Sequence, residues 1–533
     1  MALKFFGKLN NKPVAKSCIA GKWVVGRGKI FEVRTPITNE IIGYSHDCSV
    51  GQVEQAFAAA KEAQFYWFLR VNILEKEAIY RKTEELLEKY RPQLVSLITK
   101  EMGKTAVTAD ADVTEFIHCV QHYHGELSRI EGGVKDCQMS DKSSTWERHP
   151  FGTVLAICPW NFFAIPSWKI FGSITAGNAC VLKISKETPF MASFAVCLIN
   201  EAIKAILGEE RYSHLAGLVQ LIHGGGSTTG EILLDQGEKR AYDLISFTGG
   251  VETGRHVAER AGSYLIPCHL ELGGHGTIVV MDDFDISKAV NEIVLAAFGD
   301  AGQRCVSTKE VLIEETIFDK VGSGVVEKVQ KLIIGDPRFV ETNIGPLISF
   351  EQREIVHKMV LKTAEKTKPI MGGYCITEKT LGAFYAPTVF VNAPRDAFAM
   401  QHEIFGPVLC LTKLLQRKTK EETLAEAVKI INNKGYGLSN GLLTNDVRLR
   451  YLAGKLIKTG ILYRGRGTTG AELGCFFGGV GFSGWGREGR GIESFSYIKQ
   501  IYDDYYPETR LAQVGSAKKL KKMLKNSKPL IKN

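Results

Sequence analysis

Residues 153–158 read Thr-Val-Leu-Ala-Ile-Cys and run straight into Pro159-Trp160-Asn161-Phe162, and residues 179–184 read Ala-Cys-Val-Leu-Lys-Ile. Each is a continuous apolar run, too short for a core helix, in the manner of a strand buried on both faces. Runs at 218–223 and 244–248 follow, separated by segments of helical length. Strands alternating with helices imply βαβ units and a mostly parallel sheet, which is the α/β class. A second series at 276–281, 310–313, 388–391 and 408–413, with helical segments 286–298 and 318–332, predicts a second α/β lobe. Upstream, small and apolar residues at helical spacing predict covering helices over 53–68, 74–99 and 110–130. Glu131-Gly132-Gly133 is expected to stop the last of these, and 136–147 to form an exposed hairpin.

Composition narrows the class. The chain has 533 residues, 44% of them hydrophobic and 23% charged, with 54 Gly and 16 Pro, which excludes disordered, collagen-like and disulfide-scaffold proteins. Its length implies several structural units with room for a cleft between them. Twelve cysteines without a Cys-x-x-Cys pair suggest neither a zinc site nor a disulfide framework, so no metal is expected and a reducing, cytoplasmic setting is. Residues 1–13 lack the apolar core of a secretory signal, and no run approaches ~18 uninterrupted apolar residues, so no membrane span is expected. The net charge of +9 invites a nucleic-acid or anionic-membrane partner. Yet Lys518, Lys519, Lys521, Lys522, Lys525, Lys528 and Lys532 carry seven of those charges with no acid among them, leaving +2 for residues 1–517. No nucleic-acid partner is expected of such a body, and the tail allows only a weak anionic-surface contact.

The residues with chemical reach lie at the ends of these runs. Gly302-Gln303-Arg304-Cys305 stands between a helical segment and a strand. A thiolate nucleophile needs partial exposure and nearby donors, and a Gly turn before it opens backbone amides to a substrate oxygen. Taken alone, a cysteine is more often an inert small hydrophobe. Glu271, in Glu271-Leu272-Gly273-Gly274, is a carboxylate on a Gly-flanked turn able to activate water, or else a helix-end charge or a salt bridge. Phe247-Thr248-Gly249-Gly250-Val251-Glu252-Thr253-Gly254 takes a strand end into a helix, suited to holding phosphate at backbone N–H groups, although its glycine spacing is common. Asn161 and Lys183 come at the carboxyl ends of strands, where α/β sheets bind ligands; their plainer readings are a turn asparagine and a solvated lysine. Glu403-Ile404-Phe405-Gly406-Pro407 offers a carboxylate for a ribose and a ring for a planar cofactor, or only a turn.

Taken in order, Pro-Trp-Asn-Phe at 159–162, Lys183, the Phe-Thr-Gly-Gly segment with Gly254, Glu-Leu-Gly-Gly at 271–274, Gly-Gln-Arg-Cys at 302–305 and Glu-Ile-Phe-Gly-Pro-Val at 403–408 resemble the motifs of the aldehyde dehydrogenase superfamily. The resemblance extends over residues 20–505. The helix near 110–129 and Leu462-Tyr463 with Arg466-Gly467-Thr468-Thr469-Gly470-Ala471 look most similar to the glutamate-semialdehyde (pyrroline-5-carboxylate) branch. The resemblance implies a Rossmann-like NAD(P)-binding domain (1–132 and 151–272), an α/β catalytic domain (273–478), a small oligomerisation element (133–150 and 479–510) and a basic, flexible tail (511–533). It also implies a homodimer or homotetramer, with the hairpin pairing to residues 492–506 of another subunit.

By the same resemblance Cys305 attacks the aldehyde carbon, Asn161 and the Cys305 N–H hold the oxyanion, and Glu271 activates the water that hydrolyses the thioester. Trp160, Lys183, Lys186, Gly249, Gly250, Gly254, Leu272, Glu403 and Phe405 would meet NAD or NADP. Lys186 stands where NAD-using members often carry an acid, so NADP is expected to be accepted; the alternative is a solvated lysine with NAD favoured. Gly470 and Ala471, with Ser307, would hold a substrate carboxylate. Arg304, together with Glu115, resembles the aminoadipate-semialdehyde branch and supports an aldehyde bearing a carboxylate, unless Arg304 merely pairs with a neighbouring acid. Glutamate 5-semialdehyde is the substrate this reading favours. Aminoadipate or succinate semialdehyde, a broad range including fatty aldehydes, and a non-catalytic binder on the same fold are the alternatives.

Overall fold

The computed structural model describes residues 6–377, 382–505 and 517–527. Its first large sheet has eight strands in the order Gly484–Trp485, Cys268–Glu271, Leu244–Thr248, Thr153–Ile157, Ala179–Lys183, Val219–Ile222, Ser17–Ile19 and Lys22–Val24. The five from Cys268–Glu271 to Val219–Ile222 are mutually parallel. Those from Leu244–Thr248 to Val219–Ile222 are buried nearly throughout, which is why they read as unbroken apolar runs and not as alternation. The chain lays down Thr153–Ile157, steps outward twice, then returns to the other side of that first strand with Leu244–Thr248. This reversal opens a crevice at the carboxyl ends of Thr153–Ile157 and Leu244–Thr248, where a doubly wound sheet takes its ligand.

The second sheet is parallel throughout, in the order Thr388–Val391, Val408–Leu414, Thr308–Glu314, Gly276–Val280, Ser439–Leu443 and Ile461–Arg464. Residues 272–275 carry the chain from the carboxyl end of Cys268–Glu271 to the amino end of Gly276–Val280. The carboxyl edge of one sheet is thereby set against the amino edge of the other. Each sheet has its own apolar core; in the first, Trp67 is fully buried and its indole N–H donates to the Ile174 carbonyl at 2.7 Å.

Several sequence expectations need correction. The helix expected over 74–99 is two, Ile73–Lys89 and Arg91–Met102, because Tyr90 leaves helical geometry and Pro92 cannot donate into a continuing helix. The helix before the hairpin, Ala106–Glu126, ends ahead of Gly132 and Gly133, which open a strand, Gly132–Asp136. Periodicity also missed a four-stranded sheet of Phe6–Leu9, Lys12–Ala15, Ile41–His46 and Ile30–Arg34.

The strand Ser496–Asp504 pairs along its whole length with Lys142–Pro150 of its own chain, where a partner subunit was expected. Phe495, buried beside Val154 and Leu244, anchors the start of that strand, and the Asn178 amide donates to its carbonyl at 2.8 Å, so the chain's own hairpin is the nearest edge. Residues 484–485, which the reading assigned to the oligomerisation element, add an edge strand to the eight-stranded sheet. The helix Pro189–Leu215 is long and apolar enough to cross a membrane, but most of it is buried inside the fold, against helices as well as strands, and it is broken at Gly208. The expected flexible tail contains a helix, Ala517–Asn526; residues 511–516 and 528–533 lie outside the described part.

Candidate active site

Cys305, Glu271 and Asn161 line one cavity of about 260 Å³ between the two sheet edges. Glu271 is the last residue of the strand Cys268–Glu271, not part of a free turn, and it is buried. Neither of its carboxylate oxygens has a hydrogen-bond partner among the described residues. Burial pushes its carboxyl well above the ordinary value, and the nearby Glu488 charge adds to this. Burial likewise pushes the Cys305 thiol up to about 12, with Glu403 and Glu271 contributing as negative neighbours. The thiol at rest is therefore protonated and needs a base within reach. Asn161 donates from Nδ2 to the Gln303 carbonyl at 2.9 Å. That bond uses one of its two amide hydrogens and leaves the other for a ligand.

Glycines let these segments meet. Gly302 has φ +68°, and a Cβ there would lie 2.1 Å from the Gly406 carbonyl oxygen, so the Gly302–Cys305 turn sits directly on the Glu403–Pro407 segment. A Cβ on Gly273 would strike Glu403 Oε2 at 2.0 Å, and one on Gly274 the Cys305 carbonyl at 2.5 Å. Lys309 braces the same turn by donating to the Gly302 carbonyl at 2.8 Å. Behind the turn, Asp300 and Ala301 hold positive φ of 50° and 54°, costly for residues with a Cβ. Lys104 Nζ, itself 2.7 Å from Asp112, reaches Asp300 at 3.3 Å, and Arg304 Nε lies 2.5 Å from Asp300. Burial would raise the Asp300 carboxyl, but Lys104 and Arg304 hold it below the usual range.

The residues expected to meet the cofactor lie outside the cavity that holds Cys305. The Gly249 N–H donates to the Glu271 carbonyl at 3.0 Å. Trp160 and Phe405 meet edge to face at 5.6 Å. A Cβ on Gly254 would lie 2.4 Å from Leu272, whereas Gly250, at the amino end of the helix Val251–Ser263, has open space around it. Lys183 is buried, not solvated; burial pushes its amine down to about 8, opposed by Asp47. The open helix amino end and the buried cation two strands away offer positive charge to the phosphates of an anionic dinucleotide, and Glu403 offers an acceptor to its ribose hydroxyls. Lys186 is exposed, 3.7 Å from Glu187, and lines a cavity of about 250 Å³ with Glu351 and Phe350.

Among the expected substrate contacts, Arg304, Glu115, Gly470 and Ala471 line the cavity that holds Cys305. Arg304 satisfies both alternatives, since it pairs with Asp300 and still faces the cavity. Ser307 does not face it: the side chain is fully buried and Val306 stands at the wall instead, because the backbone turns between Cys305 and the strand Thr308–Glu314. The sequence reading missed the apolar wall of Phe162, Ile165, Trp168 and Phe477. The 161, 165, 168 spacing of a helix following Asn161 signals part of it. It also missed Lys169, buried 2.9 Å from Glu488 and 2.7 Å from Ser246 Oγ. Burial would raise Glu488, but Lys169 outweighs it and keeps that carboxyl low. No local signal marks this pair, whose members lie 319 positions apart.

The model of the aldehyde dehydrogenase family matches residues 23–501. D-glyceraldehyde dehydrogenase (NADP(+)) of Thermoplasma acidophilum is 30% identical over 501 residues, covering 92% of this chain and 96% of that protein. The (Z)-2-((N-methylformamido)methylene)-5-hydroxybutyrolactone dehydrogenase of Acinetobacter baylyi is 31% identical over 476 residues, 88% and 92% of the two chains. A crystal structure of betaine aldehyde dehydrogenase from Staphylococcus aureus with NAD+ superposes with a TM-score of 0.85 at 27% identity, covering 93% of this chain and 95% of that one. With the doubly wound sheet and the cysteine-bearing cleft, these matches show that the chain belongs to the aldehyde dehydrogenase family and is an NAD(P)-dependent oxidoreductase acting on aldehydes.

Proposed function

We propose that Cys305, Asn161 and Glu271 are the residues that oxidise the aldehyde to a carboxylic acid, and that the aldehyde carries a carboxylate. The observation that carries this is their placement on one cavity with Arg304, Gly470 and Ala471. Cys305 Sγ adds to the carbonyl carbon as its proton leaves to a base, and the oxyanion is held by the second Asn161 amide hydrogen and the Cys305 N–H. Bound NAD(P) supplies the hydride acceptor. Glu271, buried and without a partner, takes a proton from the water that cleaves the thioester, returning the thiol and releasing the acid. The apolar wall keeps other water away.

Cys305→Ala should form no reduced cofactor while still binding it. Glu271→Gln should give one equivalent per site and then stop, because the thioester forms but is not hydrolysed. Steady turnover by either variant would overturn these roles.

Glutamate 5-semialdehyde suits the one arginine among the described residues of the cavity; aminoadipate semialdehyde is one methylene longer, and succinate semialdehyde is shorter and lacks the amino group. The names of the relatives do not select among them. The exposed Lys186 supports acceptance of NADP, since a cation suits a 2′-phosphate. A kcat/KM for NAD far above that for NADP would dismiss that preference. Among the described residues the hairpin sheet leaves Val134, Ile498 and Tyr502 exposed, which supports a homodimer or homotetramer. Twelve free cysteines agree with a reducing cytoplasm.

A further inference from the structure

The helix Ala517–Asn526 is covered by nothing among the described residues: from Leu520 to Asn526 every side chain is exposed. Leu520, Met523 and Leu524 are 54%, 61% and 64% accessible. At the helical repeat these three fall within an arc of about 100°, while Lys521, Lys522 and Lys525 project from the opposite side. Lys518, Lys519, Lys528 and Lys532 belong to the same stretch, and residues 517–533 contain no Asp or Glu. A ten-residue helix is marginal by itself in water, so its apolar stripe needs a surface that also rewards the lysines.

We propose that this helix lies on the surface of an anionic lipid bilayer. Its apolar stripe sits at headgroup depth and its lysines meet the negatively charged headgroups. Charge complementarity selects the partner, because the stretch is cationic without exception while residues 1–517 carry only +2. The stripe separates a bilayer from a nucleic acid: phosphates would engage the lysines but leave Leu520, Met523 and Leu524 in water. Three apolar side chains make a shallow anchor, so attachment is peripheral, reversible and sensitive to salt. This contact lies outside the catalytic reading and stands whichever aldehyde the enzyme takes.

The test is cosedimentation of the full-length protein with phosphatidylcholine vesicles, with and without about a third phosphatidylserine, at low and at high ionic strength. The protein should pellet with the anionic vesicles only, and high salt should release it by about tenfold or more. The triple variant L520S/M523S/L524S and the triple variant K521E/K522E/K525E should each lose vesicle binding by about tenfold or more while keeping full aldehyde turnover. Failure to pellet with anionic vesicles at low salt overturns the proposal. So does vesicle binding that survives the apolar-stripe variant, or retention by duplex RNA without vesicle binding.

Discussion

At the residue scale, Arg304 shows how a side chain can be structural and available together. Its Nε is committed to the buried Asp300, and the guanidinium still lines the cavity that holds Cys305. A guanidinium has five N–H donors, so one strong bond fixes its position and leaves others for a carboxylate. A charge-assisted hydrogen bond contributes about 1.5–3 kcal/mol. Arg304→Gln should therefore raise KM for a carboxylated aldehyde by roughly ten- to a hundredfold. It should change kcat/KM for a neutral aldehyde of similar length far less, and steady-state kinetics on the two substrates checks the difference. An equal loss on both would show that Arg304 only braces the turn. Cys305 is shifted upward by burial and by its negative neighbours Glu403 and Glu271, and Glu271 by burial and by Glu488.

At the element scale, the turn 299–305 is held in place by a neighbouring helix and not by its own propensity. Two non-glycine residues at positive φ cost on the order of 1–3 kcal/mol each. The buried pairing of Lys104 with Asp112 and Asp300 offsets that cost by tying the turn to the helix Ala106–Glu126, whose Asp112 also accepts the Phe163 N–H at 3.0 Å. Removing one member of a buried ionic cluster leaves uncompensated charge, at about 3–5 kcal/mol. Lys104→Met should lower stability by about that much, seen as a lower urea midpoint, and Lys104→Met with Asp112→Leu should recover part of it. An unchanged midpoint in the single variant would mean that the cluster does not brace the turn.

At the scale of the whole molecule, two buried neutral histidines link folding to pH. His223, hydrogen-bonded to Ser193 at 2.9 Å, and His275, which donates to the Ala399 carbonyl and accepts from Lys434, are both pushed down by burial to about 3. Each lies well below its value of 6.5 in an unfolded chain, so below pH 6.5 the unfolded state binds the additional protons. Their contribution is complete above pH 6.5 and is lost as the pH falls toward 3, by up to about 1.4 kcal/mol per pH unit and per group. Between pH 6.5 and 4.5 the Tm of the unmodified protein minus that of the double variant His223→Asn with His275→Asn should fall, because raised carboxyls such as Glu101, pushed up to about 8, act on both proteins alike. A difference between the two proteins that stays constant over this interval would contradict the buried neutral state.

The α/β class and the parallel core strands of two sheets followed from the sequence, because strands covered on both faces must be continuously apolar and cannot be mistaken for amphipathic surface. Cys305, Glu271 and Asn161, the residues proposed for the chemistry, could be singled out because each lies in a short local motif at the end of an element, and the structure brings the three to one cavity. The tertiary structure alone decided which chain segments close around them. Ser307 turns into the core while Val306 faces the cavity, Lys169 finds Glu488 at the far end of the chain, and Ser496–Asp504 pairs within its own subunit. Local sequence sets backbone preference and polarity over a few residues, whereas partners separated by hundreds of positions are chosen by the register of sheets and the packing of buried charge.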